Sequence, residues 1–214
     1  MKATAVLPVK RFSGAKQRLA AGIDAERREA LVAAMLEDTL EAIAGTRSIE
    51  RTIVVSGDPR VQEIVAASAA EVLPDPSDEG HVPAALAGIA RAEAGGAECV
   101  VLLPGDCPLL DPKELDSLLT GLPARFVAVV PDRHGTGTNA LALAPPGAIQ
   151  PAFGEGSCAR HVAAAREAGV PYAVEELPSL ALDLDTPADV VALTRVLDEG
   201  GSNRAKRTAK ALGI

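Results

Sequence analysis

The sequence predicts a three-layer α/β/α domain with a mostly parallel central sheet. Short aliphatic runs alternate with stretches of helical periodicity along the chain, an order that needs crossover connections and so places helices on both faces of parallel strands. The strands read as unbroken apolar runs, as strands covered on both faces do. The 214 residues also supply enough aliphatic material for one large core, being 48% hydrophobic but only 2% aromatic, with no Trp.

Ala3–Val9 (ATAVLPV) reads as a buried first strand, central in the sheet, that feeds a Lys/Arg-rich loop. A long helix is expected from Asp24, as N-cap, to Ala44, with Leu31, Met35, Leu36, Leu40 and Ile43 on its apolar face and Gly45 at its end. Further strands are expected at Thr52–Ser56, Glu71–Leu73, Cys99–Leu103 and Phe126–Val130, with helices around Val61–Ala67, Ala84–Ala94 and Pro112–Leu119. Beyond these, Asn139–Leu143, Tyr172–Val174 and Leu180–Leu182 read as strands, and Ala159–Ala168 and Ala188–Leu197 as helices. The domain is taken as residues 1–198. Residues 199–214 hold Gly-Gly-Ser followed by Arg204, Lys206, Arg207 and Lys210 without a strong apolar stripe, and read as a mobile basic tail.

A net charge of −8 repels polyanions, and the scarcity of aromatic residues leaves little on which bases could stack, so nucleic acid is not expected as a partner. A small anionic substrate would need a local positive pocket. Cys99, Cys107 and Cys158 are odd in number with no CxxC spacing, which fits a reducing interior rather than a zinc site or disulfide framework. No run is long enough to span a membrane, and the N-terminal apolar run is too short for a secretory signal, so a cytoplasmic location is expected.

Four constellations carry chemistry. Lys10, Arg11, Lys16 and Arg18 lie in PVKRFSGAKQRL; from Met1 to Ile23 the chain holds five cations, Lys2 included, and no acidic residue. Just after the first strand, this patch falls at the carboxyl edge of the sheet, where open α/β folds bind ligands, and phosphate is its natural ligand. An exposed basic surface loop is the alternative. Neither the P-loop nor the GxGxxG spacing is present.

In LLPGDCPLL, residues 102–110, a buried strand ends at Pro104-Gly105-Asp106. Glycine allows close approach of a ligand to the backbone, and the Asp106 carboxylate suits Mg²⁺ held together with phosphates. A helix cap is its bland alternative, although Asp111 is better placed for that. In ALDLDTPADV, residues 181–190, Asp183 and Asp185 alternate on one side of an extended segment and either could reach the same ion; Asp185 could also cap the last helix. The fourth constellation pairs Asp132–Asn139 (DRHGTGTN) with Phe153–Ser157 (FGEGS), loops whose backbone N–H groups and hydroxyls could cradle a carboxylate or phosphate, or simply turn the chain. His81, His134 and His161 have no metal-ligand spacing and read as surface or packing residues. Ser157, in GEGSC, does not complete a GxSxG elbow.

In order along the chain, LPVKRFSGAKQRLA, LPGDCPLL, DRHGTGTNAL, FGEGSCARH and LDLDTPADV resemble the 2-phospho-L-lactate or phosphoenolpyruvate guanylyltransferases of coenzyme F420 biosynthesis, over about residues 2 to 197. The resemblance implies the nucleotide-diphospho-sugar transferase (glycosyltransferase-A-like) fold. It also implies transfer of GMP from GTP to phosphoenolpyruvate or 2-phospho-L-lactate with release of pyrophosphate. By that likeness Lys10, Lys16 and Arg18 hold the triphosphate and, with Asp106, act in catalysis. Asp106 with Asp185 or Asp183 holds Mg²⁺, and Thr138, Gly154 and Ser157 bind the acceptor. The nucleotide is expected along Pro8, Lys10, Lys16, Ser56, Gly80 and Gly105.

One segment departs from the family pattern: Gly80-His81-Val82-Pro83 stands where Gly-Leu-Asn is usual, which shifts base recognition to backbone groups or to Ser56 and Gly57. A molybdopterin cytidylyltransferase or sugar-phosphate nucleotidyltransferase is the rival on the same fold, but would carry a Gly-rich loop after the first strand. A non-catalytic nucleotide-binding module is the rival outside it. A single chain and a homodimer both remain open.

Overall fold

The computed structural model describes residues 3–19, 24–75, 77–200 and 204–214. Its strands are β1 (Ala3–Pro8), β2 (Ile49–Ser56), β3 (Glu71–Pro74), β4 (Cys99–Leu102), β5 (Phe126–Pro131), β6 (Thr138–Ala144) and β7 (Tyr172–Val174). Its helices are α1 (Ala25–Ala44), α2 (Pro59–Ala66), α3 (His81–Ala94), α4 (Pro112–Thr120), α5 (Ser157–Glu167), α6 (Pro187–Gly200) and α7 (Lys206–Leu212).

The seven strands form one sheet in the order β3-β2-β1-β4-β6-β5-β7. β1 pairs parallel with β2 and β4, β2 with β3, and β5 with β7, so the sheet is mostly parallel as expected, with β1 near its centre. β6 alone is reversed, pairing antiparallel with both β4 and β5. The loop 132–137 that joins β5 to β6 is too short for a crossover, which needs about a dozen residues or more, so the chain must turn back. That reversal brings the first residue of β6, Thr138, to the edge where β1 and β4 end.

Alternation along the buried strands divides the core between the two faces. Ala5 and Leu7 join Leu31, Met35 and Leu36 of α1 in one layer, while Val6 joins Ala85 and Ile89 of α3 in the other. Gly88 sets the approach of α3 to the sheet, since a Cβ there would lie 2.3 Å from Val6 Cγ1. Asp24 caps α1 as expected, accepting from the Arg27 N–H at 2.9 Å. Asp58 caps α2 and also accepts from the Phe12 N–H at 2.7 Å, which anchors the loop after β1. Cys99, Cys107 and Cys158 are free and buried.

Two expectations are corrected. Leu180–Leu182 is not a strand: Pro178–Leu180 forms a 3-10 turn, and the Leu180 carbonyl accepts from the Asn139 side-chain amide at 2.7 Å rather than from a neighbouring strand. The C-terminal segment is not a free tail in its described part, because α7 packs against α1. Arg207 forms ion pairs with Glu37, Asp38 and Glu41, and Asp38 Oδ2 accepts from the Thr208 N–H and hydroxyl, both at 2.8 Å. Ala205 and Leu212 also meet the core, but most of the anchor is polar, so it leaves no strong apolar stripe in the sequence. No described helix is long and apolar enough to cross a membrane.

Candidate functional site

At the carboxyl edge of the sheet, β1 releases the cationic loop, β4 releases the Pro104–Asp106 turn, and β6 begins with Thr138. A cleft of about 1070 Å³ opens between them. Lys10, Arg18, Asp106, Asp183 and Asp185 line it, together with Thr138, Gly154 and Ser157 and with Gly80 and His81. A recess of about 330 Å³ carries on past Lys10 to Pro8, Lys16 and Gly105. Residues distant in sequence therefore meet where a twisted α/β sheet ordinarily takes its ligands.

The charged side centres on Lys16. Its backbone is left-handed (φ 53°), a conformation that costs about 1–3 kcal/mol for a residue with a side chain unless its surroundings hold it. Here its Nζ donates to Asp106 and to Asp185, across sequence separations of 90 and 169 residues. Burial is the largest influence on the ammonium and works against its charge, yet the two carboxylates prevail and hold its pKa above the ordinary lysine value. Asp106 Oδ1, on the same carboxylate, is buried without a hydrogen-bond partner among the described residues. Burial, followed by the charges of Asp106 and Asp185, raises the pKa of Asp183.

The loop that carries Asp185 is held from behind. Asp189 Oδ2 accepts from the Asp185 N–H at 3.0 Å and from the N–H and hydroxyl of Thr186 at 2.6 and 2.8 Å, while Arg133 pairs with its other oxygen. The first turn of α6 is thus closed by Asp189, and Asp185 is spared for the cleft. Asp111 likewise caps α4, accepting from the Lys113 N–H at 2.8 Å, which leaves Asp106 facing the cleft. Among the described residues no three His, Cys, Asp or Glu side chains converge as a ready-made metal site. The acid pair joined by Lys16 is the oxygen set at hand. Arg11 turns aside to Asp78 at 3.6 Å, and Lys2 lies outside the described residues.

The rest of the lining is built around hydroxyls, with the carboxylates of Glu155 and Asp132 beside them. Ser157 Oγ donates to Thr138 Oγ1 at 3.1 Å, and His161 Nδ1 lies 3.0 Å from the same oxygen. The ring of His161 is completely buried; burial first and the Arg160 charge second push its pKa down to about 4. Phe153 stands edge-on to both His161 and His81, at centroid distances of 5.2 and 4.7 Å. Burial also lowers the pKa of His81.

Several residues play parts different from those expected. Ser56 does not line the cleft: its side chain is buried and its hydroxyl accepts from the Asp58 N–H at 3.2 Å. Gly57 is packed as well, since a Cβ there would lie 2.1 Å from the Asp75 carbonyl oxygen. Gly105 borders the recess as expected, and a Cβ there would also meet the Leu36 and Val9 side chains at 3.3 Å. The N–H groups of His134, Thr136 and Gly137 do not form an anion cradle; they donate to the carboxylate of Asp132 at 3.0–3.1 Å. His81 and His161 were expected as surface or packing residues: His161 is buried and His81 lines the cleft, while Arg160, which donates to the backbone carbonyls of Ala152, Phe153 and Glu155, carries no spacing signal. Pro8, Lys10, Lys16, Arg18, Gly80, Asp106, Thr138, Gly154, Ser157, Asp183 and Asp185 all line the cleft or its recess.

With this geometry in view, comparison with known proteins is informative. The family model described as "Guanylyl transferase CofC like" matches residues 3–214. A phosphoenolpyruvate guanylyltransferase from Conexibacter woesei is 47% identical over 200 residues, covering 92% of this chain and 89% of that protein. A 3-phospho-D-glycerate guanylyltransferase from Phenylobacterium zucineum is 40% identical over 197 residues, 90% of each chain. Among solved structures, one described as a nucleotide-diphospho-sugar transferase from Desulfovibrio desulfuricans G20 superposes with a TM-score of 0.78 at 17% identity, over 100% of this chain and 95% of that one. At that identity the likeness bears on the fold alone, and the fold is the α/β one expected.

Proposed function

The chain belongs to the CofC-like guanylyl transferase family and is thus a nucleotidyltransferase, and from that premise we propose that it joins GMP from GTP to phosphoenolpyruvate, releasing pyrophosphate, as a step of coenzyme F420 biosynthesis. The observation that carries this reading is the meeting of Asp106 and Asp185 at the Lys16 ammonium, beside a cleft lined by Lys10 and Arg18 and by the Thr138–Ser157 hydroxyls. Cations seat the triphosphate, carboxylates hold a divalent ion, and neutral donors hold the acid.

Mg²⁺ fits the acid pair. Asp106 keeps a buried oxygen with no partner among the described residues, and two carboxylates joined by phosphate oxygens and water make the hard oxygen shell that this ion prefers. Asp106 and Asp185 would hold it, with Asp183 nearby, and when bound it would neutralise charge building on the phosphates.

The chain's own groups account for the rest. An oxygen of the acceptor phosphate attacks the α-phosphorus of GTP; that P–O bond forms as the bond to the β-phosphate oxygen breaks, and pyrophosphate leaves. The nucleophile is already an anion, so no general base is required, and the work is to align mutually repelling anions. Lys10 and Arg18 face the leaving group, while Lys16 keeps the two carboxylates from repelling one another. Thr138, Gly154 and Ser157 take the acceptor.

Phosphoenolpyruvate is favoured by the name of the relative at 47% identity. The name of the relative at 40% makes 3-phospho-D-glycerate the second acceptor. The test is a matrix of four nucleoside triphosphates against phosphoenolpyruvate, 2-phospho-L-lactate and 3-phospho-D-glycerate, read by mass spectrometry and pyrophosphate release. GTP with phosphoenolpyruvate is expected to give the dominant product. Product from CTP alone, or from no combination, would overturn the reading.

A further inference from the structure

We propose that His161 is a positioning residue that turns the hydroxyl proton of Thr138 into the cleft, making Thr138 an obligate hydrogen-bond donor to an anionic oxygen of the acceptor. The inference rests on reading this half of the cleft as the acceptor seat.

Donors and lone pairs around the Thr138 hydroxyl fix the direction of each bond. The Ala152 N–H donates to His161 Nε2 at 2.8 Å. A backbone N–H has no lone pair to offer, so Nε2 must carry one. In a neutral ring the proton then sits on Nδ1, which lies 3.0 Å from Thr138 Oγ1 and donates to it. The same oxygen also accepts from the Ser157 hydroxyl at 3.1 Å. A hydroxyl oxygen has two lone pairs and one proton. With both lone pairs engaged, the only capacity Thr138 retains is its proton, on a side chain that lines the cleft. A carboxylate or phosphate oxygen accepts such a bond, whereas a donor group placed there would meet another donor.

The elements around the ring keep this arrangement in place. Arg160 donates to the Ala152 carbonyl at 2.8 and 3.1 Å, as well as to the carbonyls of Phe153 and Glu155, which fixes the backbone that addresses Nε2. Phe153 stands edge-on to the ring, 5.2 Å away between centroids. Without the imidazole, the Thr138 hydroxyl would be free to rotate and to present a lone pair to an anion instead.

The test compares steady-state kinetics of three substitutions. His161→Phe keeps a ring but loses both nitrogens; His161→Asn keeps a donor near the Nδ1 position; Thr138→Val removes the hydroxyl. His161→Phe is expected to raise KM for the acceptor about tenfold, the effect of roughly one lost hydrogen bond to a charged group, with KM for GTP changed by less than about twofold. His161→Asn should recover most of that loss. In the Thr138→Val background His161→Phe should add nothing, because its effect passes through that hydroxyl. A folded His161→Phe enzyme with unchanged acceptor KM, or an equal effect in both backgrounds, would overturn the proposal. Should the Phe variant not fold, ¹⁵N NMR of the imidazoles in the unaltered protein decides: a neutral ring protonated at Nδ1 is expected, and protonation at Nε2 refutes it. If the unaltered protein transfers GMP to none of the acids, it is the functional reading that has failed, and the acceptor role of Thr138 with it.

Discussion

The two sides of the cleft are built on opposite principles. One is ionic: Lys16 lies against Asp106 and Asp185, and Lys10 and Arg18 stand nearby in the open. The other is a run of directional hydrogen bonds from Ala152 through His161 to Thr138 and Ser157. Coulomb attraction falls off slowly and has little directional preference, so the ionic side suits drawing in a triphosphate and stabilising its charge. Hydrogen bonds act only at short range and correct angle, so the hydrogen-bonded side suits choosing among acids that differ by one double bond or hydroxyl. On the function proposed, reactivity and selectivity fall to different groups of residues in one cleft.

That division can be broken experimentally. Asp106→Asn on the ionic side should have the largest effect, lowering kcat by at least ~100-fold, since a preorganised charged group at a transition state is commonly worth ~3 kcal/mol or more; thermal melting should show the fold intact. An active, folded variant would remove Asp106 from the chemistry. Thr138→Val on the hydrogen-bonded side should instead raise KM for the acid about tenfold, leaving KM for GTP nearly unchanged. A rise in both constants would erase the distinction between the two groups.

Stability separates the two sides as well. The pKa of His161 is lowered in the fold from 6.5 to about 4, so between those values the unfolded chain binds a proton that the folded chain does not. Stability should therefore fall as pH is lowered from about 6.5 toward 4, and His161→Asn should flatten that slope in a series of urea melts. The smallest effect is expected outside both groups. Thr208→Val removes one buried hydroxyl bond to Asp38 and should cost about 1–2 kcal/mol in stability with kcat and KM unchanged; altered kinetics would tie α7 to the cleft.

Much of this was legible before any coordinates. The aliphatic runs located the strands, and Asp24, Asp111 and Gly45 marked helix ends through chemistry that acts within a turn of the chain. Leu180–Leu182 misled because two leucines in register look the same whether they face a sheet or pack beneath a 3-10 turn; the bond from Asn139 to the Leu180 carbonyl, 41 residues away in sequence, settles which. The docking of α7 was hidden for a related reason, since acids on α1 hold it and sequence patterning reports apolar faces more readily than polar anchors.

Sequence alone determined the α/β alternation, the segregation of cations near the N-terminus and the placing of acids at strand ends, because each follows from residue type and short-range spacing. Tertiary structure decided the rest: that Lys16 bridges Asp106 and Asp185, that Asp132 takes up its own loop's N–H groups, that Ser56 is sealed away, and that His161 meets the Thr138 hydroxyl. These depend on which atoms meet across the turn of a reversed strand and the packing of distant loops, and hydrogen-bond direction and burial exist only once that packing has formed.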